Sequence, residues 1–415
     1  MDLRQPCAGK VLRLIEKGVL IPNPLTIDIG EEVSVDLVSG DGVKIYPGCR
    51  IYGEKTVISA GAQIGYEAPA TIDNCQVGPK VELKGGFFHR SVFLRGSSMG
   101  LGAQVREACI LEEEASGAHC VGLKQTILFP FVTLGSLINF CDCLMAGGTS
   151  RRNHSEVGSS YIHFNFTPDG DKTTPSLIGD VPRGVMLKEA PIFLGGQGGM
   201  VGPLRIGFGN VVGAGSILRK DYPEENKLIL GKAHAGGVWG FVPRTYANLS
   251  HIVGNNVSYL ASLTALEEWY QWVRKGFLEK EEFGRLIWEG LLDKVSLAKK
   301  ERVTRLKSLA EKAVLAASSR ADGQRKAASV ELSGHIHVLE SLSSAEGWGD
   351  AAARYREEFL ADLSHVAAEG ADYITTIQAL SAEVREKGVR WLQQVVSSFC
   401  GEVSKAMHSL RLFKK

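Results

Sequence analysis

Between Leu194 and Leu218 an aliphatic residue returns at every sixth position: Leu194, Met200, Ile206, Val212 and Leu218. Glycine follows Ile206 and Val212, and a small or polar residue stands four places after each, as Asn210 and Ser216. A helix repeats at 3.6 residues and a strand at 2, so neither alone explains a period of six. One short strand plus one tight corner does. The aliphatic side chain enters a narrow core, and the small residue lets the chain bend. Such a unit cannot bury its apolar side chain alone, whereas stacked units share one continuous column. The spacing predicts a hexapeptide β-helix, since a glycine-rich loop protein has no reason to keep one spacing through five positions. Ile58 and Ile64 repeat the step near the start. The beat is interrupted around Pro69–Pro79, Gly85–Gly96 and Phe164–Pro175.

Glycine is frequent from about Gly30 to Gly254 and sparse afterwards. There the apolar spacing becomes helical: Leu260, Leu263, Leu266, Tyr270 and Val273, then Leu392, Val395, Val396, Phe399, Val403 and Met407. Breaks near Gly276, Gly323, Gly347 and Gly388 suggest about four to six helices. These stripes read first as core, with a docking surface for a protein partner as the other reading. No metal pattern or nucleotide loop occurs there. The expected organisation is an N-terminal helix and linker (1–28), a β-helix with an inserted loop near 164–176 (29–254), and an α-helical domain (255–415).

A chain of 415 residues calls for more than one domain. It is 44% hydrophobic and 22% charged with a formal charge of +1, a balance that points away from nucleic acid and anionic membranes. Neither a secretory leader nor a membrane span is legible, so the expected location is cytoplasmic. Eight cysteines form no CxxC pair, and Cys141 and Cys143 lack a second pair to complete a soft-metal site. They read as buried reduced thiols, and no metal is expected.

The segment Ala146–Asp180 crowds Arg151, Arg152, His154, Glu156, His163, Asn165, Asp169 and Lys172 into a break in the repeat. "TPDGDKTTP" is turn chemistry, read as a loop thrown out from a coil, where function concentrates. Arg151 and Arg152 are either an anion clamp or a solvated turn.

At these residues the chain resembles the acetyltransferase half of the bifunctional enzyme that makes UDP-N-acetylglucosamine. The likeness runs through Val157-Gly158-Ser159-Ser160, Asn165-Phe166, Asp169-Gly170, Lys172, Thr174 and Ile178-Gly179-Asp180. It continues as Phe193-Leu194-Gly195, Met200-Val201-Gly202-Pro203 and "VVGAGS" at Val211–Ser216, and spans about Val11 to Asp221. It implies a left-handed β-helix and a homotrimer with ligand sites between subunits. Acetyl-CoA or another acyl-CoA would be the co-substrate, and a sugar phosphate or nucleotide sugar the acceptor. By that likeness Asn165, Phe166 and Lys172 would stand near the junction of sugar nucleotide and acyl-CoA. Glu156 is a further substrate-side candidate, Arg106 a match for a sugar-phosphate arginine, Gly196 and Ala214 the pantetheine track, and Lys232 a contact to CoA phosphate.

Three departures stand against a full carry-over. No glycine-rich nucleotide loop precedes the β-helix, so uridyl transfer is not expected. The helical half has no counterpart in that family. Aligning Leu134–Gly148 without gaps puts Asp142 where the family has its general-base histidine. A base needs a pKa near working pH. Histidine starts near ~6.5 and aspartate near ~3.9, so Asp142 would need burial. His154 and His163 are rival bases; their plain structural readings are a loop histidine beside Glu156 and a core histidine on a strand. His89 and His119 do not have the spacing of a three-histidine zinc site. Two functions remain: an acyl-CoA-dependent acyltransferase, or a catalytically inactive sugar-nucleotide-binding or trimeric scaffold protein.

Overall fold

Each six-residue step lands on the next wall of a three-walled prism. Leu194 lies on the third wall, Met200 on the first and Ile206 on the second. Val212 then pairs beside Leu194, and Leu218 beside Met200, in parallel register. All five side chains are buried in the central column. This is the period of six made into structure. The computed structural model describes residues 7–165, 169–231, 236–241, 246, 248–320, 323–345, 347–366 and 372–413.

The first wall starts with strands Asp28–Ile29 and Arg50–Tyr52, the second with Val57–Ile58, and the third with Lys44–Ile45. The third wall is a ten-stranded parallel sheet ending at Leu228–Ile229. The first and second walls fuse into one sixteen-stranded sheet, because strands Gly122–Leu128 and Asn139–Met145 cross the edge between them. Gln125 and Asp142 turn that edge with positive φ, 53° and 57°. The result is a left-handed parallel β-helix of about eleven turns. Helix Ala8–Lys17 closes its lower end, burying Val11 and Leu14, while Lys10 Nζ donates to the carbonyls of Gly30, Glu31 and Val33.

Two of the expected interruptions are ordinary coils. Strands Ala70–Asp73, Gln76–Val77, Glu82–Leu83, Gly86–His89 and Val92–Phe93 keep the register through residues 69–96. Their corners are shorter: Glu82 pairs with Ser98, sixteen residues on, whereas Ser98 pairs with Ser116, eighteen on. Three excursions leave the coil. They are the hairpin Gly148–Ser150 with Asn153–His154, the loop between Ile162–Phe164 and Ser176–Ile178, and the stretch after Ile178 holding the short helix Val181–Gly184. Six cysteines are buried free thiols, Cys400 is half-buried, and Cys120 is exposed at a corner.

The helical half lies on the second wall. That wall presents an apolar residue outward on successive turns, Val92, Ile110, Ile127, Leu144 and Leu177, each buried. Burying one such side chain contributes about 1.5–3 kcal/mol. Helix Gly284–Arg320 packs on Gln76–Val77 and Val92–Phe93, and helix Leu249–Trp269 on Ser176–Ile178. Seven helices of seven or more residues follow residue 248 among the described residues, more than the glycine breaks suggested. Gly388 is not a break. It sits inside helix Ala382–Ala406, where a Cβ would stand 2.5 Å from Met186 Cε and 2.8 Å from the Phe359 ring, so the glycine permits close packing.

Candidate active site

Asp142 sits at the edge between the first and second walls, and the excursion that includes residues 169–175 leaves the same edge one turn later. Stacking therefore brings Lys172 close to Asp142. Arg302, from the middle of helix Gly284–Arg320, reaches this point. Its Nη2 donates to Asp142 Oδ1 at 2.8 Å and its Nη1 to the Lys172 carbonyl at 3.1 Å. The two side chains are only 2% and 6% exposed, so the pair is sealed. Burial raises the Asp142 carboxyl above the ordinary range, and the Arg302 charge opposes that rise. The helical half grips the loop twice more, through Asn256 Nδ2 on the Thr173 carbonyl at 3.0 Å and Lys312 Nζ on the Asp169 carbonyl at 2.8 Å.

His163 points into the core. Its Nε2 is 2.9 Å from Ser176 Oγ, Nδ1 has no partner, and the Phe140 ring lies edge-on to it. Burial drives the imidazole down to about 4, so it is neutral and enclosed. His154 belongs to the hairpin on the edge between the second and third walls. Its Nδ1 is 2.9 Å from the Arg151 carbonyl and its Nε2 is 3.7 Å from Glu156 Oε2. Arg151 braces that hairpin, donating to the carbonyls of Glu114 and Phe131 and to Thr133 Oγ1.

The remaining candidates scatter further. Arg106 is exposed two coils below Asp142 and acts on the Cys141 thiol. Asn165 is half-buried and Lys172 exposed on the loop, with Lys172 at φ 54°. Gly196 and Ala214 lie on the edge between the third and first walls. Phe166 and Lys232 lie outside the described residues. Asp142 with the loop, His154 with Glu156, and Gly196 with Ala214 thus occupy three different edges of the prism. Sequence reasoning missed Arg302, Lys312 and Asn256. Each sits in an ordinary helical stretch, and no local pattern ties it to residues more than eighty positions away.

Short parallel strands stacked on an aliphatic column, with polar groups confined to corners and excursions, define a hexapeptide-repeat β-helix protein. Just over half of the chain is homologous to the bifunctional GlmU proteins. It is 30% identical over 227 residues to that of Thermotoga maritima, covering 54% of this chain and 44% of the relative. The protein of Nitratidesulfovibrio vulgaris is 30% identical over 221 residues, covering 53% and 43%. The chain therefore spans less than half the length of these curated relatives. The structure of UDP-N-acetylglucosamine O-acyltransferase (LpxA) from Moraxella catarrhalis aligns at 12% identity with a TM-score of 0.27, over 66% of this chain and 96% of that one. No protein-family model matches.

Proposed function

We propose that this chain is a hexapeptide-repeat acyltransferase, moving an acyl group from acyl-CoA to a sugar phosphate or nucleotide sugar. Acetyl-CoA is the donor to try first, and the working form is a cytoplasmic homotrimer. The observation that carries the reading is the 30% identity over 227 residues to GlmU. In this reading residues 29–254 bear the site, with 1–28 leading into the β-helix and 255–415 covering one wall. Among the described residues no helix packs extensively on the first or third wall, which supports self-association. On the third wall the outward column runs through Gln63, Glu82, Ser98, Ser116, Thr133 and Glu156, then turns apolar at Phe193, Val211 and Leu228. Those three are exposed, and a contiguous apolar strip on a surface favours a partner.

The second reading, an inactive sugar-nucleotide-binding or scaffold protein, is favoured by Arg302 occupying the Asp142 carboxylate. Thermal unfolding with acetyl-CoA and with UDP-N-acetylglucosamine separates the two. Ligand at one hundred times Kd adds about 2.7 kcal/mol. A shift with acetyl-CoA supports the transferase, a shift with the sugar nucleotide alone supports the binding protein, and no shift with either leaves the scaffold.

A further inference from the structure

The helical half holds the turn at residues 169–174 by its backbone. Arg302 donates to the Lys172 carbonyl at 3.1 Å, Asn256 to the Thr173 carbonyl at 3.0 Å and Lys312 to the Asp169 carbonyl at 2.8 Å. Two helices supply these donors, Leu249–Trp269 and Gly284–Arg320. Each of these bonds ends on a main-chain oxygen, so what the helices fix is the path of the turn. Asp171, Thr173 and Thr174 are buried, whereas Lys172 between them is exposed and turns the chain at φ 54°. Its ammonium has no carboxylate partner among the described residues.

The grip is kept at a cost. Asn256 Nδ2 is shared between the Thr173 and Ile252 carbonyls, while Asn256 Oδ1 has no partner. Thr174 Oγ1 and the Tyr259 hydroxyl are likewise buried without one. Unpartnered buried polar atoms destabilise, and apolar side chains of similar shape at 256 and 259 would cover the wall without that loss. A lysine carried on a free loop must also be ordered when its ligand arrives. Here the ordering falls at folding, and the charge is presented on a turn that is already set.

We propose that the helical half is a working part of the ligand site, with Arg302, Asn256 and Lys312 as positioning residues that hold the turn so that Lys172 meets a phosphate group of the ligand. This rests on the transferase reading above. Acyl-CoA and a nucleotide sugar both carry a pyrophosphate, which a lysine meets as a mobile point charge.

Calorimetric titration of the full chain with acetyl-CoA and with UDP-N-acetylglucosamine, run as a double-mutant cycle, tests it. Asn256→Leu and Lys312→Met each remove one grip but keep apolar bulk, and Lys172→Met removes the presented charge. Each grip variant should raise the Kd of the phosphate ligand about 3–10-fold, the worth of one hydrogen bond. On a Lys172→Met background the same changes should raise it no further, because the turn acts through the charge it carries. Lys312→Arg keeps a donor and should bind as the wild type does. Lys312 is half-buried, so its variants carry the test even where Asn256→Leu does not fold. The ligand whose affinity responds identifies the source of the phosphate. Grip variants that bind like the wild type, or whose losses add in full to that of Lys172→Met, overturn the assignment. A wild type that binds neither ligand overturns the transferase reading and this assignment with it, so the wild-type titration tells the two failures apart.

Discussion

The Arg302 guanidinium lies 2.8 Å from Asp142 Oδ1, 160 residues away in the chain, and both side chains are almost wholly withdrawn from water. A charge in that position is tolerable only while its partner stays. The pair ties the helical half to the edge of the β-helix at the point where the inserted loop departs.

Arg302→Met leaves the Asp142 carboxylate buried and unpaired, and should lower stability by about 3–5 kcal/mol. Adding Asp142→Asn removes the orphaned charge, and the double variant should recover most of that loss. Denaturant melts of the wild type, both single variants and the double variant measure it. A loss below about 1 kcal/mol for Arg302→Met is the range of an exposed pair, and would mean that the contact is open in solution.

The junction between the halves should also sense pH. Glu112 is buried beneath Tyr270, whose hydroxyl donates to Oε1 at 2.5 Å, while Arg274 pairs with the adjacent Glu113 and stacks on Tyr373. Burial raises the Glu112 carboxyl to about 7 against the pull of Arg274. Because this lies above its ordinary 4.5, the folded protein favours the protonated form. That stabilisation is full below about pH 4.5 and is lost as pH climbs to about 7. Stability of the wild type relative to Glu112→Gln should therefore fall across this window. A difference that stays flat from pH 4.5 to 8 counts against a buried carboxyl there.

His163 should behave in the opposite sense. Its folded value of about 4 lies below the ordinary 6.5, so its contribution is full above pH 6.5 and is lost as pH falls toward 4. Imidazole NMR shifts should show it neutral at pH 5.5. A midpoint near 6.5 would mean that the strand Ile162–Phe164 admits water and would return His163 to the list of bases.

The prism was legible because inward positions obey one spacing, and Leu194 to Leu218 obey it without a gap. Coils through residues 69–96 were harder to read because their corners drop residues and the period slips from eighteen to sixteen. The docked wall did leave a trace. Val92-Phe93, Ile110-Leu111, Ile127-Leu128 and Leu144-Met145 are doublets in which the second residue fills the column and the first faces outward. A doublet at each turn marks a wall covered on both sides, as in any parallel sheet buried on two faces. The candidate site was less legible. Period and motif locate Asp142 and the loop, but the guanidinium that occupies Asp142 comes from a helix whose register carries no signal of what it touches.

The long helix Gly284–Arg320 also acts as a ruler. It meets the coils at Gln76 through Lys294, at Asp142 through Arg302 and at Asp169 through Lys312. Coils repeat at about 4.8 Å and helical turns at about 5.4 Å, so the two scales do not share a step. Adding or deleting one coil between Gln76 and Asp142 would move the upper contacts by about 4.8 Å relative to the lower one, and a slide of the helix that restores one set displaces the other. A bare solenoid can gain or lose rungs during descent; this one is held to a set number by the beam strapped along its side.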